Sequence, residues 1–273
     1  SEKSGETASP GYYSVNLDRW NVKAELTGTE RVGFHRYTFK ENKNYILFDL
    51  SRVINVVEFA PGYSIDASIK IISGTKLEGY GIYSGGWGPD VPYTVYFSAE
   101  FDKPFDECGI WRNELIHKDE KVAVGDSLGG YFHFKDNVVN LKVGISFKSI
   151  DNAEKNLNEV NHLNFDSAKE RAEKIWEEKL NKILIKGESE KEKELFYTNL
   201  YHSMLMPTDV TGENPRWDSD TPHYWDYHAI WDTFRSLHPL LTLIETNRQI
   251  EMINSLIDTY EHTGWMPECW TSG

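Results

Sequence analysis

The sequence is poor in cysteine, in positive charge and in long apolar runs. Its two cysteines, Cys108 and Cys269, cannot form a disulfide framework or a CxxC motif. They therefore do not indicate whether the protein folds in an oxidising or a reducing compartment. No apolar run approaches the roughly 18 residues that a membrane-spanning helix needs. The sequence therefore predicts no membrane-spanning segment.

The shortage of positive charge limits the possible partners. Lysines and arginines number 29 against 43 aspartates and glutamates, which gives a formal net charge of −14 at pH 7. Nucleic acids and anionic membranes are polyanions that bind clustered lysine and arginine, so we expect neither as a partner. A neutral or cationic ligand fits this composition better.

Both ends of the sequence read as internal cuts. Residues 1–7 are polar and lack the apolar core of a signal peptide, and residues 271–273 follow directly on an aromatic cluster. The length of 273 residues exceeds that of a usual single domain. We therefore expect two domains, or parts of two, within a longer protein.

Short stretches of period-two alternation fill the first half of the chain, from Gly11 to about Ser149. Strands that follow one another without intervening helices are typical of an antiparallel sandwich. We predict such a domain over residues 1–150, with its N-terminal part missing. The clearest predicted strands are residues 36–39, 45–50, 68–72, 93–101 and 138–147.

Helical spacing replaces this alternation after Ile150, and residues 151–187 are predicted to form a linker. Its first part, residues 151–161, is predicted to be a connector. A capping box at residues 167–170 then predicts the start of an amphipathic linker helix.

Residues 188–273 are predicted to begin a second, helical domain. Capping boxes that start at Ser189 and Thr246 predict two helices, the second of which ends at Gly264. Pro239 either starts or kinks a helix between them.

The last predicted helix carries an apolar stripe that is expected to face inward. About three helices cannot bury such stripes alone, so we expect the helical domain to continue past Gly273. The stripe consists of Ile250, Ile253, Ile257 and Tyr260.

Tryptophan is concentrated near the end of the chain, where residues 217–270 hold five of the nine tryptophans. At the centre of this segment, the run WDTFRSLHPLL at residues 231–241 places Asp232 and Arg235 among aromatic rings. Aromatic faces cover the C–H surfaces of a pyranose, while carboxylate and guanidinium groups bind its hydroxyls. The segment therefore indicates sugar binding.

The same segment, YWDYHAIWDTFRSLHPLLTLI at residues 224–244, resembles the signature of the calcium-dependent alpha-mannosidases of glycoside hydrolase family 92. Five further segments are similar to this family, so the resemblance runs in order over nearly the whole chain. They are residues 8–15, 24–33, 196–202, 252–256 with Tyr260, and 264–267.

The resemblance implies a multi-domain β + α protein, in which an antiparallel sandwich is followed by the first helices of an (α/α)6 barrel. It implies an exo-acting, inverting alpha-mannosidase, in which an acid and a base carboxylate stand roughly 6.5 to 9.5 Å apart. Calcium is the implied cofactor, binding the hydroxyls of mannose as hard oxygen ligands. The family's acid, base and calcium ligands belong to later barrel segments, so no catalytic or metal residue is predicted in this chain.

Further expectations rest on the same resemblance. The implied substrate is a mannose-containing glycan of the N-glycan or yeast-mannan type, with alpha-1,2 or related linkages. The rest of the same polypeptide would complete the barrel. The family is exported in bacteria, which implies a periplasmic, cell-surface or secreted protein.

Asp232 and Arg235 are the leading candidates for binding substrate. On one helix they share a face, and Trp231, Arg235 and His238 share a stripe. As an alternative, Asp232 is an N-cap and Arg235 its ion-pair partner. The resemblance favours binding of mannose hydroxyls by Asp232.

Trp231, Trp265 and Trp270 either stack on sugar rings or close the core between helices. The predicted loop position of Trp270 favours a site. His228 is a further substrate-binding candidate, since its spacing from nearby polar residues matches no zinc motif and calcium prefers oxygen.

Two loops each have two possible roles. Residues 85–90 either meet substrate through Trp87 or pack across the sandwich edge. The carboxylates of residues 209–220 either bind an ion or are solvated.

A non-catalytic carbohydrate-binding module is an alternative function, because the chain shows no catalytic carboxylate pair. A glycoside phosphorylase is another, because such enzymes also join a sandwich to a barrel.

Overall fold

A computed structural model describes residues 3–41, 44–53, 61–86, 91–113, 115–187 and 189–270, with only the backbone given for Cys269 and Trp270. Residues 87–90 of the predicted turn around Trp87 lie outside the described residues. The chain divides into two compact units, Ser1–Lys174 and Ile175–Gly273. The predicted domain bounds at residues 150 and 187 stay predictions.

The described part of the first unit is mostly strand. The strands are β1 (Lys3–Ser9), β2 (Tyr12–Leu17), β3 (Val22–Gly28), β4 (Val32–Phe39), β5 (Tyr45–Asp49), β6 (Gly62–Ile71), β7 (Lys76–Gly85), β8 (Tyr93–Phe101), β9 (Glu107–Arg112), β10 (Leu115–Lys118), β11 (Val122–Gly125), β12 (Leu128–His133) and β13 (Val138–Ser146). They include the five strands predicted from alternation, which are confirmed.

These strands form two antiparallel sheets. The larger has the order β1-β2-β3-β4-β13-β8-β7-β6-β11, and the smaller has the order β10-β9-β12-β5. Side chains that alternate along the strands meet between the sheets, as period-two patterning requires. This core contains Phe39, Ile46, Ile69, Leu77, Phe97, Phe101, Ile110, Phe132 and Val139. The predicted sandwich is therefore confirmed.

Two helices follow β13, α1 (Ile150–Glu159) and α2 (Phe165–Leu180). The segment predicted as a connector, residues 151–161, is therefore helical for most of its length. The Ser149 hydroxyl caps α1 by accepting a hydrogen bond from the Asn152 N–H at 3.1 Å. This cap was hidden from pattern reading because hydrophobic residues are sparse in α1, whose Leu157 packs near Gly144 of β13.

The cap predicted for α2 at Ser167 is wrong by three residues, because the helix begins at Phe165. Asn164 and Ser167 exchange hydrogen bonds of 2.9 Å between the backbone N–H of each and the side chain of the other. The reciprocal arrangement of a capping box therefore exists, but Asn164 holds its first position.

The second unit contains helices α3 (Glu190–Ser203), α4 (Ile230–Thr233), α5 (Leu237–Ile244) and α6 (Thr246–Thr263) and the short strands β14 (Thr208–Asp209), β15 (Tyr224–Trp225), β16 (His228–Ala229) and β17 (Cys269–Trp270). Ser189 caps α3 as predicted, and Gly264 ends α6 with a φ of 76°. Thr246 is not a cap, because its hydroxyl donates back to the carbonyl of Thr242.

The described residues do not bury the apolar stripe of α6, and its inward position stays a prediction. Ile250, Ile253, Ile257 and Tyr260 are 44–52% exposed. The buried residues of α6 are Gln249, Met252, Ser255, Asp258 and Thr259. This face is polar because it binds neighbouring segments of the chain by hydrogen bonds. Among the described residues, no helix has both the length and the apolar character needed to cross a membrane.

Candidate functional site

The first part of the tryptophan-rich signature is an anchor in the core of the second unit. Tyr224 and Tyr227 are each 2% exposed and pack with Leu241 and Met252. The Tyr227 hydroxyl donates to the Met252 carbonyl at 2.7 Å, and the Tyr224 hydroxyl donates to Glu251 Oε2 at 2.8 Å. Burial raises the pKa of both hydroxyls, so both remain protonated donors.

Two left-handed residues turn the chain away from this anchor. Asp226 has a φ of 60° and His228 a φ of 50°, in a region that residues other than glycine rarely adopt. The Thr208 hydroxyl supports the turn by donating to Asp226 Oδ2 at 2.8 Å. The chain then enters β16 and α4, which carry the exposed part of the signature.

The exposed part of the signature presents rings and charges to solvent. Trp231 is 62% exposed, Phe234 is 53% exposed, and Asp232 and Arg235 are exposed as well. The Asp232 carboxylate makes no hydrogen bond or ion pair with any residue that the structure describes. The Arg235 guanidinium lies 5.3 Å from the centre of the Phe234 ring. These groups are therefore free to bind a polar ligand.

The predicted common helix for these residues is wrong. Helix α4 ends at Thr233, residues 234–236 form a turn, and α5 starts at Leu237. A continuous helix would need Pro239 to donate a hydrogen bond to the carbonyl of Arg235, but proline has no N–H and its ring would clash there. Asp232 and Arg235 therefore do not share a helix face, and His238 instead hydrogen-bonds Gln249 Oε1 at 3.1 Å.

The alternative role of Asp232 as an N-cap is wrong as well. Ala229 is the N-cap residue of α4, and the helix has no side-chain cap. Asp232 lies in the first turn, where a carboxylate still interacts favourably with the helix dipole. Its expected ion pair with Arg235 is absent among the described residues. Neither a helix cap nor an ion pair therefore explains Asp232 and Arg235.

His228 and Trp270 are brought together by the pairing of β16 with β17. His228 lies opposite Trp270 and Ala229 opposite Cys269, while the Ile230 N–H donates to the Glu268 carbonyl at 3.0 Å. His228 is exposed, and its Nε2 contacts Met206 Sδ at 2.6 Å. The Trp270 side chain lies outside the described residues. Trp265 is 80% exposed and so is not part of the core.

A buried carboxylate that sequence reasoning missed anchors the loop before the signature. Asp258 of α6 is 6% exposed and accepts hydrogen bonds from Trp217 Nε1 and the Ser219 hydroxyl, both at 2.8 Å. The Trp217 ring stacks on His262 at a centroid distance of 5.0 Å and an angle of 11°. Trp217 thus belongs to the framework of the second unit. Asp258 carried no sequence signal of burial, because aspartate is usually exposed.

Two other polar residues of this loop, His223 and Glu213, are buried as well. His223 is 3% exposed, lies edge-on to Trp217 at 5.4 Å, and has a pKa lowered by burial. Glu213 is 5% exposed, so the description of its loop as solvated carboxylates is wrong at this residue. Among the described residues, no three His, Cys, Asp or Glu side chains group so that they could hold a metal ion.

Family models decide the relationship of the chain to known proteins. The model of the glycosyl hydrolase family 92 N-terminal domain matches residues 1–146, and the model of the family 92 catalytic domain matches residues 152–273. The chain belongs to glycosyl hydrolase family 92. The resemblance seen in the sequence is thereby confirmed.

Solved structures of this family have the same fold. A family GH92 alpha-mannosidase from Bacteroides thetaiotaomicron matches with a TM-score of 0.88 and 26% identity, over 99% of this chain and 38% of that chain. The same alpha-mannosidase in complex with mannoimidazole matches equally well. An inverting GH92 mannosidase from Bacteroides thetaiotaomicron VPI-5482 matches with a TM-score of 0.84 and 25% identity, over 98% of this chain and 37% of that chain.

A fungal relative also matches nearly the whole of this chain. An uncharacterized secreted glycosidase of Arthroderma benhamiae is 27% identical over 97% of this chain and 33% of its own length. The chain thus spans about a third of the length of this relative. The likeness to the solved mannosidases confirms the predicted fold class, a sandwich followed by the first helices of an (α/α)6 barrel.

Proposed function

We propose that this family 92 chain is part of an exo-acting, inverting alpha-mannosidase. Two similar proteins of the family are titled an alpha-mannosidase and an inverting mannosidase, and the first of them binds mannoimidazole. The chain covers less than two fifths of each, so the activity is proposed for the protein as a whole. The proposed substrates are N-glycans or yeast mannan with alpha-1,2 or related linkages.

Within this chain, the proposal rests on the exposed part of the signature, residues 231–235. The Asp232 carboxylate is an acceptor with no partner among the described residues, and the Arg235 guanidinium offers several donors. We assign both groups to the hydroxyls of mannose and the exposed Trp231 ring to one face of the sugar. His228 and Trp270 complete the proposed set of binding residues.

Calcium and export are proposed for the whole protein. Calcium rests on the family resemblance, which implies ligands in later barrel segments, so no residue of this chain is assigned to it. Export rests on the fungal relative, which is named a secreted glycosidase.

The activity is tested by assaying the full-length protein on aryl alpha-mannosides and on mannan oligosaccharides. We expect release of mannose as the beta anomer, which proton NMR detects at early times, and loss of activity in excess chelator with recovery on adding calcium. Undiminished activity in chelator would contradict the cofactor proposal. Turnover only in the presence of inorganic phosphate would instead identify a phosphorylase.

The role of Asp232 is tested by Asp232→Asn in the full-length protein. Because its carboxylate contacts no described residue, we expect an unchanged melting temperature. We expect kcat/KM to fall about a hundredfold, since hydrogen bonds to a charged group contribute about 1.5–3 kcal/mol each. Asp220→Asn, another exposed aspartate of the same unit, is the matched control and should have wild-type kinetics. Equal kinetics for both variants would refute the assignment.

A further inference from the structure

The solvent-facing side of the four-stranded sheet carries aromatic rings in adjacent rows. In one row Leu47, Tyr131 and Gly109 lie opposite one another, and in the next row Gly129 lies opposite Trp111. The residues that alternate with them, such as Ile110 and Phe132, are fully buried in the sandwich core. Tyr131 and Trp111 therefore point away from the core.

Each of these two rings covers a glycine of the neighbouring strand. A Cβ atom on Gly129 would come within 1.9 Å of the Trp111 ring, and a Cβ atom on Gly109 would come within 2.6 Å of the Tyr131 ring. Any side chain at these glycines would displace the rings. The glycines thus allow the rings to lie close against the sheet.

Apolar side chains extend this surface on both sides. Tyr45 is 46% exposed, and its ring centre lies 6.3 Å from that of Tyr131. Leu47 is 64% exposed and Ile116, opposite Trp111, is 70% exposed. We call the five residues Tyr45, Leu47, Trp111, Ile116 and Tyr131 the aromatic platform.

Charged groups of both signs border the aromatic platform. Lys118 lies 3.6 Å from Glu107, and Arg112 lies 2.7 Å from Glu120. Asp106 lies 3.1 Å from His133 and 3.9 Å from Lys135, and Asp49 lies opposite Gly129. The border therefore offers hydrogen-bonding groups of both signs and no cluster of one sign, which suits a neutral, hydroxyl-rich ligand better than a polyanion.

A purely structural role accounts for only part of this arrangement. Aromatic rings over cross-strand glycines stabilise a sheet, but that requires neither two rings in adjacent rows nor exposed apolar neighbours. Aromatic faces bordered by hydrogen-bonding groups are the surface that the C–H face of a pyranose chain fits. We propose that the aromatic platform binds a neutral glycan chain without breaking its bonds. The identity of that glycan as alpha-mannan rests on the proposed function.

The proposal is tested by native affinity electrophoresis of the full-length protein in gels with and without yeast alpha-mannan. The variant Trp111→Ala/Tyr131→Ala removes both rings. Loss of two stacked rings should weaken retardation by mannan about tenfold or more. The same variant should cleave mannan polymer less efficiently but keep kcat/KM for an aryl mannoside within about twofold.

Trp20→Ala is the matched control, because Trp20 is 61% exposed but lies outside the aromatic platform. It should be retarded like the wild type. Equal loss in both variants, or none in the double variant, would overturn the proposal. If the double variant does not fold, oxidation of the wild type by N-bromosuccinimide with peptide mass spectrometry replaces it. Protection of Trp111 by mannan supports the proposal, whereas a Trp111 that is unreactive without mannan, or reactive at the same rate with it, refutes it.

The two proposals can fail separately. Retardation by mannan that depends on Trp111 and Tyr131, without hydrolysis of aryl mannosides, would keep the aromatic platform and refute the enzyme. Hydrolysis with unchanged retardation in the double variant would keep the enzyme and refute the aromatic platform.

Discussion

Replacing Asp258 by alanine tests how the loop before the signature is held. The carboxylate is 6% exposed and accepts the Trp217 indole N–H and the Ser219 hydroxyl at 2.8 Å. A buried donor left unsatisfied costs about 1–3 kcal/mol, and hydrogen bonds to a charged acceptor contribute about 1.5–3 kcal/mol. Ser219 is exposed and can bond to water, so the indole N–H dominates. We expect Asp258→Ala to weaken the local structure by about 2–4 kcal/mol.

Hydrogen–deuterium exchange of the full-length protein measures this loss where it occurs. A change of 2–4 kcal/mol corresponds to exchange that is about 30-fold to 1,000-fold faster. We expect it in peptides covering residues 211–223 and 255–262, with little change in the sandwich. Ser219→Ala is the control and should accelerate exchange only slightly, because it removes one exposed hydroxyl. Wild-type exchange in Asp258→Ala would refute the reasoning.

Two further perturbations test other parts of the fold. Burial alone would raise the pKa of Glu245, but hydrogen bonds from Lys182 and Lys179 at 2.9 and 3.1 Å lower it below the ordinary 4.5. Its stabilisation is therefore present above that value and is lost as the pH falls through the lowered pKa, so Glu245→Gln should cost about 1–2 kcal/mol in urea unfolding at pH 7 and progressively less as the pH falls through that pKa. A pH-independent difference would contradict this. Gly144→Ala should destabilise the sandwich by about 1–3 kcal/mol in thermal unfolding, because the new Cβ would lie 2.6 Å from the Ala153 carbonyl oxygen. Gly125→Ala is the control and should leave the stability unchanged, because open space surrounds its Cβ position.

The sandwich could be predicted from sequence because burial there follows a simple rule. Alternating side chains in β8 and β13 face a core on one side, so period two is visible in the residues themselves. The aromatic platform could not be predicted in this way. Its geometry depends on which glycine lies opposite Trp111 and Tyr131, and register is not encoded within any single strand.

The helical unit was harder to predict because its buried surfaces are polar. Helix α6 buries Ser255 and Asp258 against neighbouring segments, and hydrophobic periodicity gives no signal for a buried polar face. The break before α5 could have been predicted from Pro239, since a proline four residues after Arg235 excludes one continuous helix. The role of Asp232 followed from resemblance and still awaits a measurement.

The position of β13 has a consequence for synthesis of the protein. This strand is the last of the sandwich along the chain, yet it lies between β4 and β8 in the middle of the nine-stranded sheet. From completion of β4 at Phe39 to the start of β13 at Val138, the ribosome adds roughly 100 residues in about 5–20 s, and the edge of β4 lacks its partner throughout. The edge of β8 lacks its partner from Phe101 onward. Unpaired edges recruit other strands, so this interval is when the nascent chain is most exposed to aggregation and most dependent on chaperones.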